Sequence, residues 1–280
     1  MNVSLHTYFY YKPLSITRTE EFPSFFYLRI AQLRFESDPD EPEFVTNRRK
    51  LTHYGNEANW TTDWDETDWR KYLHAYYKLT ERVDKEAGRV LDALQEAGLA
   101  EDTLVVFTSD HGEGSAGHKW VVKLMLYEEP VTVPFVIRYP GVIEEGAVDV
   151  SHLVSGVDVL PTLCDFAGMK PPEKVTGNSL KPIIENPLAP WRDYLVAELA
   201  SDTERLEAKG RMVRTDRYKY MVFSEGRNPE LLFDMDQDPG EQHNLAYKPE
   251  FQSEVRKHQS LLRAWGEETA DTFVFPESIG

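Results

Sequence analysis

The most regular hydrophobic pattern in the chain runs from residue 68 to 97. Apolar side chains recur at Tyr72, Tyr76, Leu79, Val83, Ala87, Val90 and Leu94 in steps of three and four. Such steps put them on one face of a helix. Asp68 stands where an N-cap belongs, and Gly98 where a helix ends in the left-handed conformation. The period then changes. Residues 103–108 (TLVVFT) form a short apolar run rich in β-branched side chains. That predicts a strand covered on both faces, as in a parallel sheet. Helix, glycine and buried strand make half of a βαβ unit. Residues 134–138 (PFVIR) predict a second strand of the same kind, closed by Tyr139-Pro140-Gly141, and 157–166 a short helix ending at Gly168. Residues 169–192 are proline-rich and predict irregular chain.

Beyond residue 190 the character is different. Segments 194–199, 211–215, 218–223 and 231–233 are short strand patterns joined by polar turns, which predict a small antiparallel sheet. A last helix over about 249–267 presents Phe251, Val255, Leu262 and Trp265. At the other end, 25–30 (FFYLRI) predicts a strand, followed by a proline-broken acidic loop over 37–43. Residues 43–68 are polar and tryptophan-rich and predict a long surface loop. There Trp60, Trp64 and Trp69 either line a cleft or pack beneath the loop. There is no internal repeat. The chain divides into a poorly defined lead-in (1–42), an α/β segment (43–190) and a small sheet-and-helix subdomain (191–280).

Composition narrows the function classes. Hydrophobic residues make up 41% of the 280, with 14 Phe, 14 Tyr and 6 Trp, enough to build a packed core. The formal net charge of -17 repels phosphate backbones, so nucleic acid is not an expected partner. The single cysteine, Cys164, excludes an internal disulfide framework and a cysteine-rich zinc site, and its apolar helix face predicts a core position. No run approaches the ~20 apolar residues of a membrane span. Residues 1–21 lack the apolar core of a signal peptide, and the compartment stays open.

The chemistry-bearing segment is Thr108-Ser109-Asp110-His111-Gly112-Glu113, directly after the first predicted strand. Ligands of open α/β sheets bind at the carboxyl ends of strands. An Asp-His pair there offers a carboxylate oxygen and an imidazole nitrogen, both donors for a divalent cation. By itself Asp-His-Gly more often marks a turn with a capped His than a metal site. Gly112 lets the backbone turn away.

Downstream order adds weight. Gly117-His118-Lys119-Trp120 precedes Lys123, Tyr127-Glu128-Glu129, Val133-Pro134 and Tyr139-Pro140-Gly141. Then come Val157-Asp158-Val159-Leu160-Pro161-Thr162-Leu163, Gly177-Asn178-Ser179-Leu180, and Leu232-Phe233-Asp234 through Asp238-Pro239-Gly240-Glu241 to Asn244-Leu245. This succession resembles the sulfatase family of the alkaline phosphatase superfamily over about residues 68–246. Lys123 lies four residues before Tyr127, and His118 five before Lys123, as in many members. The resemblance implies a partial alkaline-phosphatase-like mixed sheet flanked by helices, with a small C-terminal α+β subdomain. It implies metal-assisted hydrolysis of a sulfate ester, with Asp110 and His111 as ligands of a cation, usually calcium. Lys123 would bind sulfate and stabilise the leaving oxygen, and His118 would contact substrate or lie on the surface. Tyr127, Glu128 and Glu129 are scaffold in this reading. Asp234, Asp236 and Asp238 form a solvated acidic turn rather than a cation site.

Several family parts are missing. The formylglycine nucleophile is made from Cys-x-Pro/Ala-x-Arg, whereas Cys164 is followed by Asp165, Phe166, Ala167 and Gly168. Ser24 and Ser37 do not fit the serine variant, no Asp-Asp pair occurs, and His6 and His53 sit in the wrong contexts. All of these belong to the family's N-terminal half, so the expectation is a chain that begins inside a sulfatase, binds the cation weakly and does not turn over alone. The expected substrate is a sulfated sugar or small molecule, with loops 43–68 and 200–210 contributing to its selection. A phosphonate or phosphate ester hydrolase of the same superfamily is the enzymatic alternative. A non-catalytic remnant, or a subunit completing another chain, is the other.

Overall fold

The computed structural model describes residues 38–50, 61–200 and 209–279. The strand expected at 25–30, Trp60, His6, His53, Ser24, Ser37 and most of loop 200–210 lie outside the described residues.

Residues 43–68 are not one long loop. Helix α1 (Glu43–Arg49) buries Phe44 and Val45, and Phe44 stacks on Phe223 with ring centroids 4.6 Å apart. Helix α2 (Glu66–Glu96) is the long amphipathic helix that the pattern predicts. Its cap is Asp65 rather than Asp68. Asp65 is extended, and its carboxylate accepts the backbone N–H of Asp68 at 3.0 Å, which makes Asp68 the third helical residue. Gly98 closes the helix at φ 70°. The first turns are buried through Trp69 and Leu73, but Leu79, Val83 and Val90 are exposed.

Strand β1 (Val105–Phe107) pairs with β2 (Val136–Arg138), with Val106 opposite Ile137. The pairing is antiparallel, and Phe107 and Val136 are both more than 40% exposed. The parallel, doubly covered strand expected from the apolar run is corrected on both counts. A continuous apolar run reports that a strand is apolar, not the direction of its neighbour. Helices α3 (Glu128–Val131), α4 (Val159–Phe166) and α5 (Lys181–Glu185) follow, α5 within the stretch expected to be irregular. Cys164, on α4, is half-buried rather than in the core.

The C-terminal sheet is an antiparallel meander of β3 (Tyr194–Ala200), β4 (Lys209–Thr215), β5 (Tyr218–Phe223) and β6 (Glu230–Asp234). Helix α6 (Gln252–Thr269) covers one face, packing Val255 and Leu262 against Val213, Tyr220, Val222 and Leu232. The opposite face carries Met212, Met221, Phe223 and Leu231, which pack against Trp120, Met125, Leu126 and Tyr127. The largest core therefore joins the meander to the segment holding the candidate chemistry. Strand alternation places Lys219 on the same face as Met221 and Phe223. It is fully buried there, so it needs a carboxylate partner.

Candidate active site

The chain leaving β1 presents Asp110 and His111 side by side. The Asp110 side chain is 82% exposed, and one of its oxygens accepts the His111 backbone N–H at 2.9 Å and the Ser109 hydroxyl at 3.2 Å. Burial would raise its carboxyl pKa, but the His111 charge and these donors outweigh that and hold it below its ordinary value. The second oxygen lies 3.5 Å from His111 Nε2, and Nδ1 of that ring lies 2.8 Å from the Gly112 carbonyl oxygen. One carboxylate oxygen and one imidazole nitrogen thus converge on a point that a cation could share. The Asp110 oxygen fits one position of a hard cation such as calcium, which takes 6–8 oxygens, while the His111 nitrogen is a softer donor. Among the described residues no group of three or more acidic, His or Cys side chains surrounds that point.

Gly112 then passes so close to α3 that a Cβ there would meet the Glu129 carbonyl oxygen at 1.9 Å, while its N–H donates to the Pro130 carbonyl at 2.9 Å. Close approach to a neighbouring backbone, rather than a turn alone, is what requires glycine here. Glu113 folds back onto the far end of the loop. Its carboxylate accepts the backbone N–H of Val122 and the hydroxyl of Tyr72 on α2, and Gly114 N–H donates to the Val122 carbonyl at 2.9 Å. These bonds tie the chain just after the Asp110–His111 pair to the residue before Lys123. Trp69 and Leu73, flanked by Trp64 and Tyr72, pack under Ala116 and Val121. Of the two readings for these tryptophans, the structure supports packing for Trp64 and Trp69.

Between these anchors the backbone is strained. Ser115, Ala116, His118, Lys119, Val122 and Leu124 all have positive φ, between 48° and 72°. Left-handed backbone costs a non-glycine residue about 1–3 kcal/mol, and more readily marks a built feature when the residue is β-branched like Val122. Val122 and Leu124 flank Lys123. Lys123 is half-buried, its carbonyl accepts the Trp120 indole N–H at 3.2 Å, and among the described residues its ammonium has no ion-pair partner. A cation so placed is available to an anion.

His118 is 1% exposed. Its ring stacks on Tyr127 with centroids 3.7 Å apart, its Nε2 lies 3.0 Å from the Glu241 carbonyl oxygen, and its Nδ1 lies 3.7 Å from a Glu129 oxygen. It is not on the surface, and in this arrangement its ring faces protein rather than an open cleft. Burial pushes the His118 pKa down, but the Glu129 and Glu241 oxygens more than reverse that, so it stands above its ordinary value. Burial likewise raises the Glu129 carboxyl, and His118 brings it below its ordinary value. Glu241 is pushed up by burial, and the Lys219 ammonium only partly offsets this. Lys219 Nζ sits 2.8 Å from Glu241 and 3.1 Å from Glu128.

The acidic turn near residue 236 is not wholly solvated. Asp234 is buried and takes a bidentate contact from Arg217, down to 2.6 Å. The sequence names Glu113, Trp120 and Glu241 only as members of motifs, with no role, and those motifs give no reason to name Lys219. The one available signal was a lysine on the inward face of a strand.

Residues 26–169 match the family model described as Sulfatase, and residues 116–267 match that described as N-sulphoglucosamine sulphohydrolase, C-terminal. The chain is 39% identical over 203 residues to a Delta 4,5-hexuronate-2-O-sulfatase of Bacteroides thetaiotaomicron, covering 71% of this chain and 42% of that protein. A solved structure of a 2-O GAG sulfatase superposes with a TM-score of 0.74 at 33% identity, over 85% of this chain and 53% of that one. A phosphonate monoester hydrolase of Agrobacterium radiobacter superposes with a TM-score of 0.67 at 28% identity, over 77% and 45%. The chain thus spans about half or less of the length of each.

Proposed function

The chain belongs to the sulfatase family, and on that premise we propose that it carries the cation-and-lysine part of a sulfuric ester hydrolase site. The observation that carries this reading is the joining of the Asp110–His111 pair to the Lys123 segment by the Glu113 carboxylate on Val122 N–H. Asp110 and His111 hold the cation, calcium in this reading, together with donors supplied by a sulfatase N-terminal half. When bound, that cation supplies Lewis-acid polarisation of the sulfate oxygens. The Lys123 ammonium binds a sulfate oxygen and neutralises charge as it grows on the leaving oxygen. His118 contributes from behind, through the backbone it orients. The substrate class is a sulfated saccharide, supported by the similarity to sulfatases named for hexuronate and GAG substrates.

No Cys-x-Pro/Ala-x-Arg sequence occurs in the chain, so hydrolysis by it alone is expected to be negligible. Purified, calcium-loaded protein assayed with an aryl sulfate should show no turnover above buffer. Addition of a sulfatase N-terminal half bearing the formylglycine should produce turnover that Lys123→Ala abolishes. Turnover by the chain alone, or complementation indifferent to Lys123, would sink the reading.

Two alternatives have an observation each. The phosphonate monoester hydrolase likeness favours a phosphonate or phosphate ester, and the complemented protein should then prefer an aryl phosphonate to the sulfate. The exposed apolar stripe of α2 favours a partner role, in which the chain completes another subunit without its own chemistry. Stable association with the N-terminal half but no turnover would select that reading.

A further inference from the structure

The late turn Asp238-Pro239-Gly240-Glu241 plays no part in the chemistry above, yet Glu241 is fully buried and reaches across the fold. Its carboxylate accepts the backbone N–H of Glu128 at 2.6 Å, and its carbonyl oxygen lies 3.0 Å from His118 Nε2. Those two contact points stand five residues after and five residues before Lys123. One residue of the turn after the meander therefore holds both ends of the segment that carries the lysine. The hold is itself anchored, because the other carboxylate oxygen lies 2.8 Å from Lys219 on β5. Glu241 also adopts φ 54°, a conformation unfavourable for glutamate unless its surroundings impose it.

We infer that Glu241 is a positioning residue for Lys123, setting the lysine's height and direction by clamping His118 and Glu128 on either side of it. The inference rests on the reading of Lys123 as the sulfate ligand, but the clamp itself can be tested apart from that reading. The segment between the two contacts contains four of the positive-φ residues, His118, Lys119, Val122 and Leu124. Strained backbone of this kind keeps its shape only while both ends are held. Releasing Glu241 should let residues 118–128 relax and displace the Lys123 ammonium. Helix α6 packs on the face of the meander away from Lys219 and should not respond.

The test is hydrogen exchange by mass spectrometry on the full 280-residue chain. It is read together with acylation of Lys123 in the presence and absence of inorganic sulfate. Glu241→Ala leaves Glu128 N–H without its acceptor and should speed exchange across 118–128 by about tenfold or more. Exchange in α6 should be unchanged. Glu241→Gln keeps the volume and an acceptor oxygen and should restore slow exchange, whereas Glu241→Leu fills similar space without an acceptor and should not. Sulfate should slow acylation of Lys123 in the parent and in Glu241→Gln but not in Glu241→Ala. Unchanged exchange over 118–128 in a folded Glu241→Ala protein overturns the inference, as does acceleration spread evenly over the chain. If sulfate protects Lys123 in no variant, the sulfate-ligand reading fails while the exchange result still decides the clamp. Should Glu241→Ala not fold, Glu241→Asp keeps the charge beside Lys219 and shortens the reach to Glu128. It must show the same local acceleration, or the inference is lost.

Discussion

Replacing Lys219 by methionine should be among the most damaging single changes in this protein. The Lys219 side chain is 0% exposed and lies between Glu241, also 0% exposed, and Glu128, at 2.8 and 3.1 Å. Methionine fills a similar volume and suits the neighbouring Met221 and Phe223, so little packing is lost. What is lost is the cation. Removing one member of a buried ion pair costs roughly 3–5 kcal/mol, because the other charge stays behind without compensation. That is a large share of the ~5–15 kcal/mol that stabilises an ordinary domain. The loss should depend on pH with a definite sign. Glu241 already titrates above its ordinary value through burial, and losing Lys219 raises it further. A carboxyl whose folded pKa is raised contributes stability below its unfolded value, and that contribution is lost as pH rises through the folded value. The Lys219→Met deficit should therefore be largest at neutral pH and shrink as the protein is acidified toward the ordinary glutamate range. Adding Glu241→Gln should recover part of it, since the pair is then neutral on both sides. Urea unfolding of the parent, both single variants and the double variant at pH 5 and 7.5 measures all of these. A Lys219→Met deficit below ~1 kcal/mol, or one equal at both pH values, would refute the argument that Lys219 is the cluster's counter-charge.

Other perturbations test separate parts of the fold. Gly112→Ala would push a methyl into the Glu129 carbonyl oxygen, and thermal unfolding should report a loss at the upper end of the ~1–3 kcal/mol typical of overpacking. Asp158 is fully buried and accepts from Ser155 N–H, Asn178 N–H and both terminal nitrogens of Arg192, so Asp158→Ala should cost roughly 3–5 kcal/mol in a urea titration. Burial lowers the His258 pKa below 6.5, so the folded protein disfavours its protonation. Stability from this group is present above its unfolded value and is lost as pH falls through it toward the folded one. His258→Gln should therefore flatten the decline in unfolding free energy between pH 7 and 5, and a slope equal to the parent's would count against the assignment.

The parts of this protein legible in its sequence are those decided by near neighbours. The stripe from Tyr72 to Leu94 predicts α2, and the short alternating runs after residue 190 predict the meander, because helix and strand periods are written into consecutive side chains. The ordered motifs around Asp110, His111 and Lys123 identified the family for the same reason. The direction of β1 against β2 was not legible, since an apolar run names no partner. Nor was the cap at Asp65, where two aspartates three residues apart compete for one role and only backbone geometry decides.

The arrangement of the candidate site depends on contacts that no local pattern could suggest. Glu113 accepts from Val122, nine residues on, while Glu241 reaches Glu128 and His118 from more than 110 residues away. Each contact joins groups that look like ordinary surface carboxylates and loop amides when taken alone. Their effect is to hold six left-handed residues in a segment with glycine only at 112, 114 and 117, so the strain around Lys123 is imposed from outside the motif rather than encoded within it. The motif supplies a lysine, and the meander with the turn after it supplies its position. A chain carrying every local residue of this segment on a different C-terminal sheet should therefore keep the fold of 113–129 less well, however faithfully the motif itself is copied.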